Sequence, residues 1–126
     1  MNRYTVYQFK LSHEAADEVN RVGWDEAMKL FPEVEINLRV SFMGGSTNFS
    51  EWMSEYYNPV CTIDAESLNQ VFHIGNMGPE ESIERLAPMH SVSVGDVIFD
   101  SQNNTYTMVD GHGFSELTNF AVKEVA

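Results

Sequence analysis

The chain has 126 residues with 19 acidic against 7 basic side chains, and its formal net charge of -12 disfavours nucleic acid or an anionic membrane as a direct partner. Its hydrophobic content of 43% suffices for one packed domain and argues against intrinsic disorder. Because Cys61 is the single cysteine, no internal disulfide can form, and the chain fits a reducing cytoplasm.

The first third of the chain predicts a strand and two helices. The strand covers residues 3–11, Ser12 caps the first helix, and Pro32 stops the second. Apolar residues recur at alternating spacing in the strand and at helical spacing afterwards. These residues are Tyr7, Phe9 and Leu11 in the strand, Ala15, Val19 and Val22 in the first helix, and Trp24, Ala27, Met28 and Phe31 in the second.

Residues 35–43 give the clearest strand pattern in the sequence. Four apolar side chains alternate there with polar ones, which predicts a strand with one buried face. The apolar positions are Ile36, Leu38, Val40 and Phe42. Gly44, Gly45 and Ser46 are expected to end this strand.

The middle of the chain predicts short helices around one short strand. Phe49, Trp52, Met53 and Tyr56 line a helix that ends before Asn58–Pro59. A strand follows over residues 60–63. Asp64 is then predicted to cap a helix that carries Leu68, Val71 and Phe72. Pro79 is predicted to begin another helix, which Pro88 ends, with Ile83 and Leu86 facing inward.

The region from Met89 to Leu117 predicts a hairpin. The apolar residues change parity at Gly95–Asp96, which indicates a turn, and residues 100–105 contain no apolar side chain. A last strand is predicted over residues 119–125, with Phe120 and Val122 on one face. These elements predict an α+β fold, a single small domain spanning residues 1–126 with a mostly antiparallel sheet and three to five short helices.

The same hairpin carries a family resemblance. The segments HSVSVGDVI and TYTMVDGHGF resemble the two conserved strands of YodL-like domains, and the start of the chain and residues 67–72 are also similar to that family. The matching motif residues are Ser93, Asp96, Tyr106, Asp110, Gly113 and Phe114. His112 departs from the family pattern, in which a serine is usual, and the middle of the chain is longer. The resemblance implies an accessory protein of phages, plasmids or conjugative elements, with no settled activity.

Residues that could support catalysis or metal binding form no convincing pattern. The four histidines, at 13, 73, 90 and 112, lack metal-ligand spacing, so we expect neither a metal nor a cofactor. Cys61 is expected to be a core thiol. The best enzyme-like group is Asp96, Asp110 and His112, but turn capping explains the two aspartates as well. We therefore predict no catalytic residues and no enzyme activity.

The unbalanced acids favour binding to a protein with a basic surface. A compact body rich in carboxylates can imitate the charge of DNA and occupy a basic groove. The predicted acidic contact residues are Glu14, Asp17, Glu18, Glu51, Glu55, Glu80, Glu81 and Glu84. With the resemblance, they predict a phage or mobile-element inhibitor of a host defence or nucleic-acid-handling protein in the host cytoplasm. We expect no contact with membranes, because no apolar run approaches the roughly 20 residues of a spanning helix.

Two alternatives remain open. One is an adaptor or structural module that pairs with itself or with a partner through the aromatic residues Trp52, Tyr56, Tyr57 and Phe114. The other is a small enzyme that uses the Asp96, Asp110 and His112 region. Salt-sensitive binding would distinguish the inhibitor from the adaptor.

Overall fold

A six-stranded antiparallel sheet organises the protein, for which the computed structural model describes residues 1–42, 45–111 and 113–121. The strands lie in the order β3-β2-β1-β4-β5-β6, so the first strand of the chain is in the middle of the sheet. The strands are β1 (Asn2–Gln8), β2 (Asn58–Ala65), β3 (Ile83–Arg85), β4 (Val97–Asp100), β5 (Thr105–Asp110) and β6 (Gly113–Leu117).

Helical segments fill most of the connection between β1 and β2 and part of the connection between β2 and β3. The α-helices are α1 (His13–Val22), α2 (Trp24–Leu30), α3 (Pro32–Ile36) and α4 (Leu68–Met77). A π-helical turn over Asn37–Phe42 continues α3, and 3₁₀ turns cover Gly45–Asn48, Glu51–Tyr56 and Glu80–Ser82. The predicted α+β fold with a mostly antiparallel sheet and a few short helices is confirmed.

Both faces of the sheet are covered by apolar packing. On one face, Val71 and Ile74 of α4 join the cluster that contains the cross-strand partners Val6, Cys61 and Ile98. The opposite face carries a second cluster, in which the β4–β5 partners Val97 and Met108 pack with α3, the π-helical turn and the 3₁₀ turn at Glu51–Tyr56. A third cluster joins α1, α2 and α3 through the fully buried Ala15, Ala27 and Val34.

The predicted start of the first helix and the predicted end of the second are confirmed. Ser12 caps α1, with its Oγ accepting a hydrogen bond from the Ala15 amide at 3.1 Å. Pro32 follows the end of α2, but it also occupies the first turn of α3, where proline is well tolerated. The expected buried face of β1 is wrong, because Tyr4 and Val6 are buried and the strand ends at Gln8, before Phe9.

The predicted strand over residues 35–43 is wrong, because the chain is helical there. Ile36 and Val40 are fully buried four residues apart, and Arg39 Nε donates to Glu35 Oε1 at 2.8 Å across the same spacing. An alternating pattern contains the i, i+4 spacing of a helix at every second apolar position. The periodicity therefore fits either structure, and packing against the sheet decides between them.

Three further boundaries differ from the predictions. Asp64 lies inside β2, and Ser67 caps α4 by accepting from the Gln70 amide at 3.2 Å. The helix expected after Pro79 is reduced to a 3₁₀ turn followed by β3, and Leu86 is 51% exposed. Residues 119–121 form no strand, because pairing occurs earlier, in β6. Val122 lies outside the described residues.

Candidate functional site

Most cationic side chains are occupied by ion pairs within the molecule. Of the seven lysines and arginines, five pair with carboxylates in the described ranges. The five pairs are Arg3–Asp64, Arg21–Glu18, Lys29–Glu26, Arg39–Glu35 and Arg85–Glu80. The exposed surface therefore offers few free cations to balance the remaining acids.

The eight predicted acidic contact residues lie on separate elements. Glu14, Asp17 and Glu18 are on α1, Glu51 and Glu55 are on a 3₁₀ turn, and Glu80, Glu81 and Glu84 are at β3 and the turn before it. Glu18 and Glu80 are already paired with arginines. The other six are exposed, and within the described ranges none of them forms an ion pair.

The third acidic group lines a groove beside β3. This groove has a volume of about 710 Å³, and Asp64, Glu81 and Glu84 contribute carboxylates to it. Arg3 lines the same groove and donates from Nε to Asp64 Oδ1 at 3.2 Å. β3 is the end strand of the sheet, so its outer edge has no strand partner in the described structure. The groove is thus net anionic and lies beside an open strand edge.

The predicted aromatic contact residues differ in exposure. Trp52 is 39% exposed and stacks edge-to-face with Tyr56, with ring centroids 6.1 Å apart. Tyr57 is only 2% exposed, and its hydroxyl donates to the Gly95 carbonyl at 2.5 Å. The expectation that Tyr57 is a surface anchor is therefore wrong. Phe114 is half-buried and packs against the cluster beneath α4.

The residues of the family-like hairpin mainly shape the fold. Asp110 accepts hydrogen bonds from the Ser46 amide at 2.8 Å and the Ser46 hydroxyl at 3.0 Å. Tyr106 packs against Phe99 with the two rings tilted by 35° and their centroids 4.7 Å apart. Gly113 has φ 135°, a conformation that favours glycine.

The two aspartates of the enzyme-like group expected at the hairpin do not come together. Asp96 pairs through its backbone with Val109, so Asp110, the next residue, points to the opposite face of the sheet. Their side chains accordingly bind different partners, Gln8 for Asp96 and Ser46 for Asp110. His112 lies outside the described residues.

A different polar cluster forms around Asp96. Asp96 is 2% exposed, and its Oδ2 accepts from Gln8 Nε2 and from the Ser93 amide, both at 2.9 Å. Gln8 also clamps the backbone of His90, donating to its carbonyl at 3.0 Å and accepting from its amide at 3.3 Å. The cluster therefore ties the end of β1 to the segment before β4.

The ring of His90 has a defined tautomer in this arrangement. Its Nδ1 lies 2.7 Å from the Ser91 carbonyl oxygen, which can only accept a hydrogen bond. Nδ1 must then carry the proton and cannot accept from Gln8 Nε2, which lies 3.3 Å away. Nε2 of a neutral His90 is the ring nitrogen left to accept a hydrogen bond.

Burial controls the titration of Asp96. Removal from water raises its pKa to about 6, while the Ser93 amide, the Gln8 amide and the charge of His90 each oppose that rise. Asp96 also lines a cavity of about 540 Å³. No described residue donates a hydrogen bond to its second oxygen, Oδ1. The cavity thus contains a carboxylate oxygen with unused acceptor capacity.

The π-helical turn supplies another wall of this cavity through Asn37 and Ser41. The π-helical turn packs closely against the turn at Gly95. A Cβ added to Gly95 would lie 2.9 Å from Ser41 Oγ and 3.3 Å from Val40 Cγ1. π-Helical turns interrupt regular hydrogen bonding and are frequent at functional sites.

Cys61 is fully buried, and burial raises its pKa to about 11. Its thiol is therefore protonated near neutral pH, as expected of a core residue rather than a nucleophile. Among the described residues, no three histidine, cysteine or acidic side chains are grouped as a metal site would require. Nor does any helix in those ranges combine the length and apolar character needed to cross a membrane.

Comparison of the chain with protein-family models, with curated proteins and with solved structures found no match. The resemblance to YodL-like domains therefore stays a prediction from the hairpin residues.

The sequence predicts neither Gln8 nor His90 as a member of the polar cluster. Gln8 was hard to recognise because it lies at the end of a strand whose buried face was assigned to the other parity. His90 is 82 positions away in sequence, and only the pairing of β1 with β4 brings the two together. The sequence predicts Asp96 as a residue of the turn, and the structure shows that its side chain is also buried.

Proposed function

We propose that the protein is a non-catalytic binding module that attaches through exposed carboxylates to a cationic surface of another protein and blocks that surface. The observation that carries this proposal is the use of five of the seven cationic side chains in internal ion pairs, counted in the described ranges. The net charge of -12 therefore resides on the exposed carboxylates, which attract basic partners over a distance of about 10 Å at 0.1 M salt.

The groove beside β3 is the contact region that geometry favours most. Asp64, Glu81 and Glu84 meet there, and the neighbouring strand edge has backbone groups free to pair. A cationic segment that lies along this edge gains backbone hydrogen bonds as well as charge attraction. Glu14 and Asp17 on α1 lie on another element, so they act by adding to the overall field.

The resemblance to YodL-like domains supports a host defence or nucleic-acid-handling protein in the cytoplasm as the target. Such proteins present basic grooves to phosphates, and a carboxylate-rich body competes for the same groove. Inhibition requires only that this groove be occupied. The carboxylates need not repeat the spacing of DNA phosphates.

Capture experiments with charge-reversed variants test this function. The immobilised protein should retain a partner with a basic surface from an extract of its host cell, and retention should weaken steeply as salt is added. Glu81→Lys combined with Glu84→Lys should reduce the retained amount roughly 10-fold, because each reversal replaces attraction with repulsion. Mass spectrometry identifies the partner, and binding of the purified pair is then measured by calorimetry.

A matched control uses Asp25→Lys with Glu116→Lys. Both residues are exposed, Glu116 lies on β6 at the opposite edge of the sheet, and this double variant changes net charge by the same amount. It should retain most of the binding. Equal loss in both double variants, or a partner without a basic surface, would contradict the proposed contact.

An adaptor that uses Trp52 is the second candidate. Trp52 is 39% exposed beside Tyr56, an arrangement suited to an interface anchor. This candidate predicts that Trp52→Ala abolishes capture or self-association and that added salt has little effect. Under the charge-based proposal, Trp52→Ala has a smaller effect than reversal of Glu81 and Glu84.

A further inference from the structure

The cavity next to Asp96 has an unusual polar wall. Asp96 is almost completely buried, yet its Oδ1 receives no hydrogen bond from the described residues. Oδ1 is not fully enclosed, because within the described residues Glu18 Oε1 is the side-chain polar atom that is both enclosed and without a hydrogen-bond partner. Asp96 Oδ1 therefore faces the cavity, where a donor from outside the fold can take the place of water.

Nearby side chains extend this acceptor surface. Asn37 and Ser41 come from one turn of π-helix and both line the cavity; their side chains carry an amide and a hydroxyl. The Ser93 hydroxyl donates to the Ser91 carbonyl at 2.8 Å, which leaves its own lone pairs available. Phe9 lines the same cavity and gives it an aromatic surface.

Lys10 and His90 also border the cavity, and neither forms an ion pair with Asp96. Lys10 is exposed and forms no ion pair with Asp96. His90 directs its Nδ1 proton to the Ser91 carbonyl, and it approaches Asp96 only through the Gln8 amide. The remaining charged or titratable groups that influence Asp96 are Tyr57 and Cys61, both buried and without positive charge.

We propose that this cavity is a binding pocket for one guanidinium group, which an arginine side chain of the partner protein supplies. Guanidinium is planar and presents several N–H donors in a fixed fork, so it can serve Asp96 Oδ1 and the oxygens of Asn37 and Ser41 together. Its flat face can stack on Phe9. An ammonium group carries the same charge but lacks both properties.

The pocket chemistry stands on the cavity alone, whereas the source of the arginine rests on the proposed function. A cationic partner surface is rich in arginine, and one side chain inserted at Asp96 would fix the orientation of a complex that long-range charge only attracts. The Asp96 pocket is built from the segment after β1, the π-helical turn with the end of α3, and the segment before β4, and it shares no lining residue with the groove beside β3. The two contacts can therefore be tested separately.

Nuclear magnetic resonance titrations with single amino-acid derivatives test the pocket. N-acetyl-argininamide should shift the amide signals of Ser93, Val94 and Asp96 and the side-chain amide of Gln8, with a dissociation constant on the order of 1 mM. N-acetyl-lysinamide should bind at least about 5-fold more weakly. The citrulline derivative, which has the same shape without the charge, should give no saturable shift.

Variants of the pocket provide the decisive comparison. Asp96→Asn keeps an acceptor for Gln8 and Ser93, and it should weaken arginine binding roughly 10-fold or more. Asn37→Leu gives a second, independent test in a side chain that makes no described hydrogen bond, and it should also weaken binding. Asp100→Asn is the control, because Asp100 is buried at the other end of β4 and its substitution removes the same charge.

The outcomes separate this inference from the proposed function. Equal binding of arginine and citrulline, equal binding of arginine and lysine, or arginine shifts that Asp96→Asn leaves unchanged would each overturn the guanidinium pocket. Salt-sensitive capture of a basic partner that survives Asp96→Asn would refute the pocket and leave the function standing. Arginine binding at Asp96 without any salt-sensitive partner would support the pocket and refute the function.

Discussion

Asp96 combines deep burial with a carboxyl group, and the two features oppose each other energetically. Its pKa is raised from the ordinary value of 3.8 to about 6, chiefly by burial. The folded state therefore holds the proton more tightly than the unfolded state. The contribution of the Asp96 carboxyl group to the free energy of unfolding is fully present below about pH 4 and is lost as the pH rises through 6.

Asp96→Asn should consequently stabilise the protein at neutral pH. The amide cannot ionise, and its oxygen can still accept from Gln8 and Ser93, so the free energy of unfolding should rise by about 1–3 kcal/mol at pH 7.5. Near pH 3.5 the gain should vanish, because the native carboxyl is then protonated as well. Urea denaturation at both pH values measures the difference.

Glu116→Gln is the control for this experiment. Glu116 is exposed on β6, so its neutralisation should change the free energy of unfolding by less than about 0.5 kcal/mol at either pH. An equal effect of Asp96→Asn at both pH values would show that packing, rather than the cost of a buried charge, governs this residue. A gain in stability together with a loss of arginine binding would mark Asp96 as a residue kept for recognition.

At the scale of elements, the contact between the Gly95 turn and the π-helical turn holds one wall of the pocket in place. Gly95 has φ 96°, and Ser41 and Val40 lie close to the position of its missing Cβ. Tyr57 adds a hydrogen bond from its hydroxyl to the Gly95 carbonyl. Three parts of the chain thus meet at a residue that cannot carry a side chain without strain.

Gly95→Ala should destabilise the protein by about 2–3 kcal/mol, because it adds both an unfavourable backbone conformation and a steric clash. Thermal denaturation followed by circular dichroism measures the loss. Gly111→Ala is the matched control, since no heavy atom lies within 4 Å of its added Cβ. Similar stability of the two variants would show that the turn and the π-helical segment move apart freely.

The sequence predicts an element correctly where the local residues alone determine it. The β4–β5 hairpin was recognisable because a parity change, a glycine and a polar loop coincide, and the Ser12 cap was equally local. The π-helical turn could not be recognised from the sequence, because its alternating apolar residues satisfy strand spacing and helix spacing at once. β3 was missed as well: it has only three residues, and pairing with β2 makes it a strand.

Charge is the dominant property at the scale of the whole molecule. With a net charge of -12 and five basic side chains already paired, the remaining acids repel one another in the folded state. The excess of acids was evident from composition. The sequence does not predict that these acids lie apart, on α1, on a 3₁₀ turn and at the β3 edge. Proximity along the chain does not determine which elements share a surface.

Added salt should therefore stabilise the free protein and weaken its complex. Raising NaCl from about 0.02 M to about 0.3 M screens repulsion among the acids and should raise the unfolding free energy by roughly 1 kcal/mol. This gain should exceed the stabilisation that the exposed ion pairs lose through the same screening. Thermal melts measure the first effect and calorimetry of the complex the second. Glu81→Lys with Glu84→Lys should show less stabilisation by salt, and stability that falls with salt would contradict this account.

The central position of β1 has a consequence for synthesis on the ribosome. Val6 pairs with Cys61 on one side and with Ile98 on the other, so β1 has no second neighbour until residues near 100 have been translated. Until then a nascent chain leaves one edge of β1 unpaired, and the buried side chains of Tyr4 and Val6 lack that part of their packing. Such a chain is a natural client for chaperones that bind extended segments, and its folding begins in earnest only when β4 emerges from the exit tunnel.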